Sequence, residues 1–131
     1  MNDRRQRALG LAAKGYRLCV LAVSLPIILG EFFRSETGAA YGVDTPTKLL
    51  LVARMARNNL AIPTGSSFVE HLVIATKILQ IPADSDGVIV ECGAYKGGST
   101  ANLSLVAARC GRELVVFDSF EGMPEPDDGD R

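Results

Sequence analysis

Histidine is almost missing from this chain. His71 is the only one in 131 residues. No Ser-His-Asp set can be placed on it, and its position mid-helix predicts a partly exposed side chain. Cysteine is scarce as well. Cys19, Cys92 and Cys110 are odd in number and contain no C-x-x-C pair. That argues against a disulfide framework or a zinc site and fits reduced thiols in a cytosolic protein. Cys92 sits in an apolar stretch, where a thiol is expected to be a small buried hydrophobe. A basic excess is also lacking. The net charge of −1 argues against a dedicated nucleic-acid binder. The charge is uneven, with Arg4, Arg5, Arg7, Lys14 and Arg17 at the start and Glu121, Glu125, Asp127, Asp128 and Asp130 at the end. Both ends read as solvated.

There is no apolar run long enough to make a full transmembrane helix. The longest, "LCVLAVSLPIIL" from Leu18 to Leu29, is closed by Glu31 and Arg34. As helix it spans ~18 Å against a hydrocarbon core of ~30 Å. A basic lead and a short apolar core are signal-peptide ingredients, but the lead is long and no clean cleavage site follows. The run reads as an uncleaved amphipathic or core helix that touches a membrane or a partner chain. Pro26 is expected to bend or end it. Internal repeats and low-complexity tracts are missing too.

What is present is ordinary globular material, 47% hydrophobic and 22% charged, in a length that suits one domain. "SETGAAYG", Ser35 to Gly42, reads as a linker. In "DTPTKLLLVARMARNNL" Thr45 can cap a helix with Pro46 in its first turn. Leu49, Ala53, Ala56 and Leu60 recur at helical spacing, which leaves Arg54, Arg57 and Asn58 outward and ends the helix near Asn59. In "SSFVEHLVIATKIL" Ser67 and Glu70 have capping-box spacing. Phe68, Leu72, Ala75 and Leu79 form an apolar stripe, widened by Val69, Val73 and Ile74. These two helices read as a helical cap. The pattern then changes to a buried-type strand from Gly87 to Cys92, a helix from Thr100 to Cys110 ended by Gly111, and a second buried strand from Glu113 to Asp118. Strand, loop, helix and strand make a βαβ unit with a parallel sheet. The expected organisation is an N-terminal helix and linker over 1–40, a helical cap over 41–84 and the start of a ligand-binding domain over 85–131.

The loop of that unit, within "VIVECGAYKGGST", carries the chemistry. In an open parallel sheet ligands bind beyond the carboxyl ends of the strands. Gly93, Gly97 and Gly98 lack Cβ atoms, so the chain can turn tightly and a ligand can come close. The amides that open the next helix can hold a carboxylate or phosphate, and Ser99 adds a hydroxyl there. Asp118, at the end of the second strand, can accept from both hydroxyls of a ribose. Glu91 lies beside the loop. Two acids about one glycine turn favour a ligand with a ribose, an ammonium or a sulfonium. The loop is neither G-x-G-x-x-G nor a P-loop. A nucleotide- or NAD-binding Rossmann domain, and a membrane-associated non-enzymatic module built on Leu18–Leu29, are the competing readings.

"VECGAYKGGS" resembles the first motif of the class I S-adenosylmethionine-dependent methyltransferases. Together with "IPTGSSFVEHLVIATKIL" and "LVVFDSFEGMPEP" it resembles the macrocin O-methyltransferase (TylF-type) family over about Ala53 to Pro126. The resemblance implies an α/β fold in which N-terminal helices precede the first βαβ unit of a Rossmann-like methyltransferase domain. It implies S-adenosyl-L-methionine as cofactor and, as acceptor, a small molecule bearing a hydroxyl, such as a sugar of a natural product. Glu91 would shape the loop and face the methionine moiety, and Gly93 and Gly97 would let the cofactor approach. Tyr95 and Ser99 would meet its amino-acid end, and Asp118 its ribose, with Ser119 alongside. Magnesium is implied by the family, but its ligands and the catalytic base are expected beyond Arg131. A fold of this class needs about seven strands and two are found, so the chain is expected to be an N-terminal fragment, inactive in isolation. A cytoplasmic protein, peripheral to the membrane through Leu18–Leu29, with no nucleic-acid partner and room for a homo-oligomer, completes the expectation.

Overall fold

Pro26 does not stop the first helix. In a computed structural model of the chain, which describes residues 2–122, α1 runs from Asn2 to Phe33 with Pro26 inside it. Along α1 the side chains described are those at 15, 16 and from 19 onward. The basic side chains Arg4, Arg5, Arg7, Lys14 and Arg17 therefore lie outside the described set. So do Glu125, Asp127, Asp128 and Asp130, and the "MPEP" part of the last motif. The far end of α1 turns on named contacts. The Glu31 carbonyl accepts the Thr37 hydroxyl at 2.9 Å. The Arg34 carbonyl accepts from Lys48 Nζ at 2.6 Å, which places a buried lysine on the orphan carbonyls of a helix end.

The stretch read as a linker is thus a folded corner. Thr37 and Gly38 are buried, the Gly38 amide donates to the Leu79 carbonyl at 3.1 Å, and a short 3₁₀ turn covers Ala39–Tyr41. Phe32 and Val43, on either side of position 40, enter the same core.

α2 spans Thr45–Ala61 and is capped by Asp44, whose side chain accepts the Thr47 amide, rather than by Thr45. Its phase also differs from the expected one. Lys48, Leu51 and Met55 are buried, while Leu49 is exposed and Leu60 is 91% exposed. A stripe taken from apolar spacing alone missed this. Lys48 buries its stem against α1, and Asn58 and Asn59 turn inward to polar partners on α4 and α3.

α3, Phe68–Leu79, carries the expected capping box of Ser67 and Glu70. Leu72, Ala75 and Leu79 are buried as predicted, and Val69 joins them, but Val73 and Ile74 face outward. α3 packs against α1 on one side and α4, Gly98–Cys110, on the other. Leu51, Met55, Leu72, Leu79, Leu103 and Val106 meet in one core.

β1, Ile89–Cys92, and β2, Leu114–Phe117, form a two-stranded parallel sheet in register from Ile89↔Leu114 to Cys92↔Phe117. The chain is therefore α/β in class, and Gly111 ends α4 in the left-handed conformation as its sequence predicts. The strands are not buried on both faces. Val90 and Phe117 are exposed, and Cys92 is exposed too, against the expectation for a buried thiol. Alternate side chains along β1 emerge uncovered, as does Phe117 at the end of β2, while Leu114, Val115 and Val116 are half-buried.

Candidate functional site

β1 hands the chain to α4 through a loop that only small or strained residues can follow. Gly93 has φ +85°, Tyr95 +51° and Gly97 +80°. The Gly93 amide still donates to the Phe117 carbonyl at 2.8 Å, so the loop leaves the sheet directly at the strand ends. Gly97 is the N-cap of α4 and offers no side chain to its first amides. The amides of Gly98, Ser99 and Thr100 are left without intrahelical partners, and they carry the positive end of the helix dipole.

The glycines do different jobs. A Cβ at Gly93 or Gly97 would meet nothing within 4 Å, so both are required by backbone conformation and leave open space in front of them. Gly98 is different. A Cβ there would stand 2.7 Å from Thr64 Cβ, so its missing side chain admits the 63–66 loop rather than a ligand. This corrects the sequence expectation for Gly98.

Asp118 follows β2 and reaches back under the loop. Its Oδ2 accepts the amides of Ala94 at 2.6 Å and Tyr95 at 2.9 Å, and its Oδ1 accepts the Phe120 amide at 2.7 Å. The Phe120 and Tyr95 amides, and then that of Ala94, hold its carboxyl below the usual aspartate range. A carboxylate expected to face only a ribose is thus already the clamp of the loop. Oδ2 takes two amides and Oδ1 one, so of about four acceptor directions on the carboxylate one remains, on Oδ1.

Glu91, near the end of β1, is only 8% exposed, and its Oε2 has no hydrogen-bond partner. A buried carboxylate oxygen without a donor is costly. A cationic group or a hydrogen-bond donor placed there would relieve it. Thr100 Oγ1, in the first turn of α4, is buried and unpartnered as well.

In front of these elements lies an open cleft of about 840 Å³, a volume in the range of small-molecule sites. Of the residues expected to bind a ligand, Gly93, Tyr95, Asp118 and Ser119 line it. Glu91, Gly97 and Ser99 flank the same loop without forming the wall. Gly65, Lys96, Phe117, Phe120 and Gly122 also line the cleft and were missed. Phe120 and Gly122 stand inside the quoted "FDSFEGMPEP" motif and could have been found there. Gly65 arrives only through tertiary packing. Lys96 Nζ stands 5.5 Å from the centre of the Tyr95 ring, which gives this wall a cationic edge.

Behind the loop sits the histidine, fully buried rather than partly exposed. Its Nε2 is 2.6 Å from Ser66 Oγ, and its Nδ1 is 2.8 Å from Asn102 Nδ2. Asn58 donates to Asn102 Oδ1 at 3.0 Å, which turns the Asn102 nitrogen toward the ring. Nδ1 therefore accepts, and Nε2 carries the proton and donates to Ser66. That is the wrong tautomer for activating a serine nucleophile, which needs Nε2 to accept. Burial holds the His71 pKa below its ordinary value, against the pull of Glu70 and Glu91.

A family model described as macrocin-O-methyltransferase (TylF) matches residues 63–131, more than half of the chain. The chain belongs to the TylF macrocin O-methyltransferase family. The matched segment begins with the loop that carries Thr64, Gly65 and Ser66, and takes in α3, the glycine loop, α4 and β2. Every residue lining the cleft of this TylF-family chain falls within it. No curated protein and no solved structure matches the chain. Among the described residues no group of three His, Cys, Asp or Glu side chains could hold a metal ion, and no helix is long and apolar enough to cross a membrane.

Proposed function

We propose that this chain carries the S-adenosylmethionine-binding part of a Rossmann-like O-methyltransferase domain whose acceptor is a hydroxyl of a sugar or other natural product. The observation that carries the reading is a pair of unmet needs on one loop. Unpartnered amides open α4 after the loop, and the buried, unpartnered Glu91 Oε2 precedes it in the chain. An amino acid offers a carboxylate for the first and an ammonium for the second. The residues present fit the cofactor in kind. Ser99 and the α4 amides would take its carboxylate, Glu91 its cationic end, and the remaining acceptor direction of Asp118 Oδ1, with Ser119 beside it, a ribose hydroxyl.

Bound there, S-adenosylmethionine supplies an activated methyl group. The chain's own residues orient it and shield it from water, and that is most of what a protein contributes to a displacement of this kind. Phe117, Phe120 and Tyr95 give the cleft apolar walls. No described residues fit the magnesium ion that the family resemblance implies, so no step is assigned to a metal and no base is named.

Calorimetric titration with S-adenosylmethionine, S-adenosylhomocysteine and NAD tests the reading. The first two should bind and NAD should not. NAD binding more tightly than either would overturn it in favour of a nucleotide-binding domain.

A second reading concerns α1 alone. Tyr16, Val20, Val23 and Ile27 are exposed on it. We take this helix to lie against a membrane surface, as a peripheral contact of a cytoplasmic protein. Flotation with anionic vesicles should carry the chain upward, and removal of residues 1–26 should abolish that. Unchanged flotation after the deletion would refute it.

A further inference from the structure

The single histidine is the joint between the two pieces of chain that frame the cofactor loop. We propose that His71 is a positioning residue of the cleft: uncharged and protonated on Nε2, it holds the 63–66 loop and the first turn of α4 together, and the cofactor binds to that form alone. The proposal rests on the S-adenosylmethionine reading above.

The geometry connects ring to cleft by two routes. Through Nε2 the ring holds Ser66, whose Oγ lies 3.2 Å from Thr64 Oγ1 and whose amide donates to the same atom at 3.3 Å. Thr64 closes over Gly98 at the start of α4, and Gly65 between them lines the cleft. Through Nδ1 the ring holds Asn102, one helical turn after Gly98 and so on the same side of α4. One ring thus fixes both the helix turn whose amides are free and the loop packed on it.

A second proton on Nδ1 would point at the Asn102 N–H across 2.8 Å, and Asn59 Oδ1, 3.2 Å from Nδ1, is already taken by the same Asn102 nitrogen at 2.7 Å. To admit it, Asn102 must turn and give up the Asn58 amide. No hydrogen-bonding partner of the ring carries a compensating charge. α2 presents Asn58 and Asn59, the loop Ser66, and α4 Asn102, all uncharged. The charges that act on the ring are Glu70 from α3 and Glu91 from β1, and burial outweighs both. The neutral ring therefore belongs to the closed network. The sign follows: affinity is full above the ring's pKa and is lost as pH falls through it, by up to about tenfold per pH unit if coupling is complete.

With one histidine in the chain, ¹⁵N imidazole NMR reads the ring without overlap. The free chain should show a protonated Nε2 and a bare Nδ1, with a midpoint below ~6.5. Calorimetry with S-adenosylhomocysteine across the same pH range should show affinity falling with the ring's titration. His71→Gln should bind more weakly than wild type and with a flat pH profile. Where His71→Gln does not fold, Asn102→Asp serves. Its carboxylate accepts from Nδ1–H, so the ring should hold both protons at neutral pH, and the variant should bind weakly there with no further loss as pH falls. A ring that titrates at the ordinary value, or an affinity that stays flat through its titration, overturns the proposal alone. No binding by the wild-type chain at any pH overturns the cofactor reading and this proposal with it.

Discussion

Asp118 accepts the Tyr95 amide through Oδ2, the same oxygen that takes the Ala94 amide, so one atom sets the turn of the glycine loop from across the sheet. The residue is fixed by β2 and the amides by the exit from β1. Parallel pairing of Cys92 with Phe117 is what brings them within reach.

This clamp predicts an acid-sensitive loop. The folded-state pKa of Asp118 is depressed by the Phe120, Tyr95 and Ala94 amides. Its contribution is therefore complete above the unfolded value of ~3.9 and is lost as pH falls through the lower folded value. The Ala94 and Tyr95 amide resonances should move only at that acid end. In Asp118→Asn only one side-chain atom can accept, so either the Phe120 amide or the Ala94–Tyr95 pair loses its partner. Hydrogen exchange should then quicken at those amides, and cofactor affinity should fall. Unchanged exchange in the variant would contradict the clamp.

Adjacent glycines at the start of α4 should respond to different substitutions. Gly97 needs a positive φ and has space, so Gly97→Asn should cost little and Gly97→Ala about 1–2 kcal/mol. Gly98 has no room, so Gly98→Ala should cost about 1–3 kcal/mol through overpacking against Thr64. Adding Thr64→Gly should return part of that loss in a double-mutant cycle read by urea unfolding. Strict additivity would mean that the two residues do not meet.

The phase of α2 can be checked directly. Met55 is fully buried in the core and Leu60 stands in solvent. Met55→Ala should cost about 2–5 kcal/mol, and Leu60→Ala should stay within about 0.5 kcal/mol of wild type. The reverse ranking would restore the stripe of Leu49, Ala53, Ala56 and Leu60.

The capping box of α3 should also be measurable. Ser67 accepts the Glu70 amide at 3.3 Å, and Glu70 takes the Ser67 amide at 2.5 Å. Ser67→Ala should lower stability by about 1 kcal/mol in thermal unfolding, and Ser67→Asp should retain most of it. No change in either would mean that the helix start is held by packing alone.

Much of this was legible along the chain because it depends on neighbours in sequence. The capping box, the left-handed Gly111, the alternation of strand, glycine loop, helix and strand, and the parallel sheet all follow from local propensity and crossover geometry. Four of the seven residues predicted to bind cofactor line the cleft, since a loop and the next strand end are brought together by the βαβ connection itself. The misreadings share a cause. Polarity alone puts Leu60 inward and Asn58 outward, but Asn58 has a hydrogen-bonding partner 44 positions away. Pro26 is expected to bend or end its helix, and α1 does not end there. His71 looks like a surface residue until Ser66 and Asn102 are seen to satisfy both ring nitrogens.

By itself, then, the order of residues determined where helices and strands start, which loop must be bare, and the family to which the chain belongs, because those depend on backbone conformation and short spacing. The tertiary structure alone decided that Asp118 clamps the loop, that Gly98 yields to Thr64, that Glu91 is left without a partner and that His71 is buried. A polar side chain is buried where distant segments can satisfy it, and which segments meet is set by packing rather than by sequence distance.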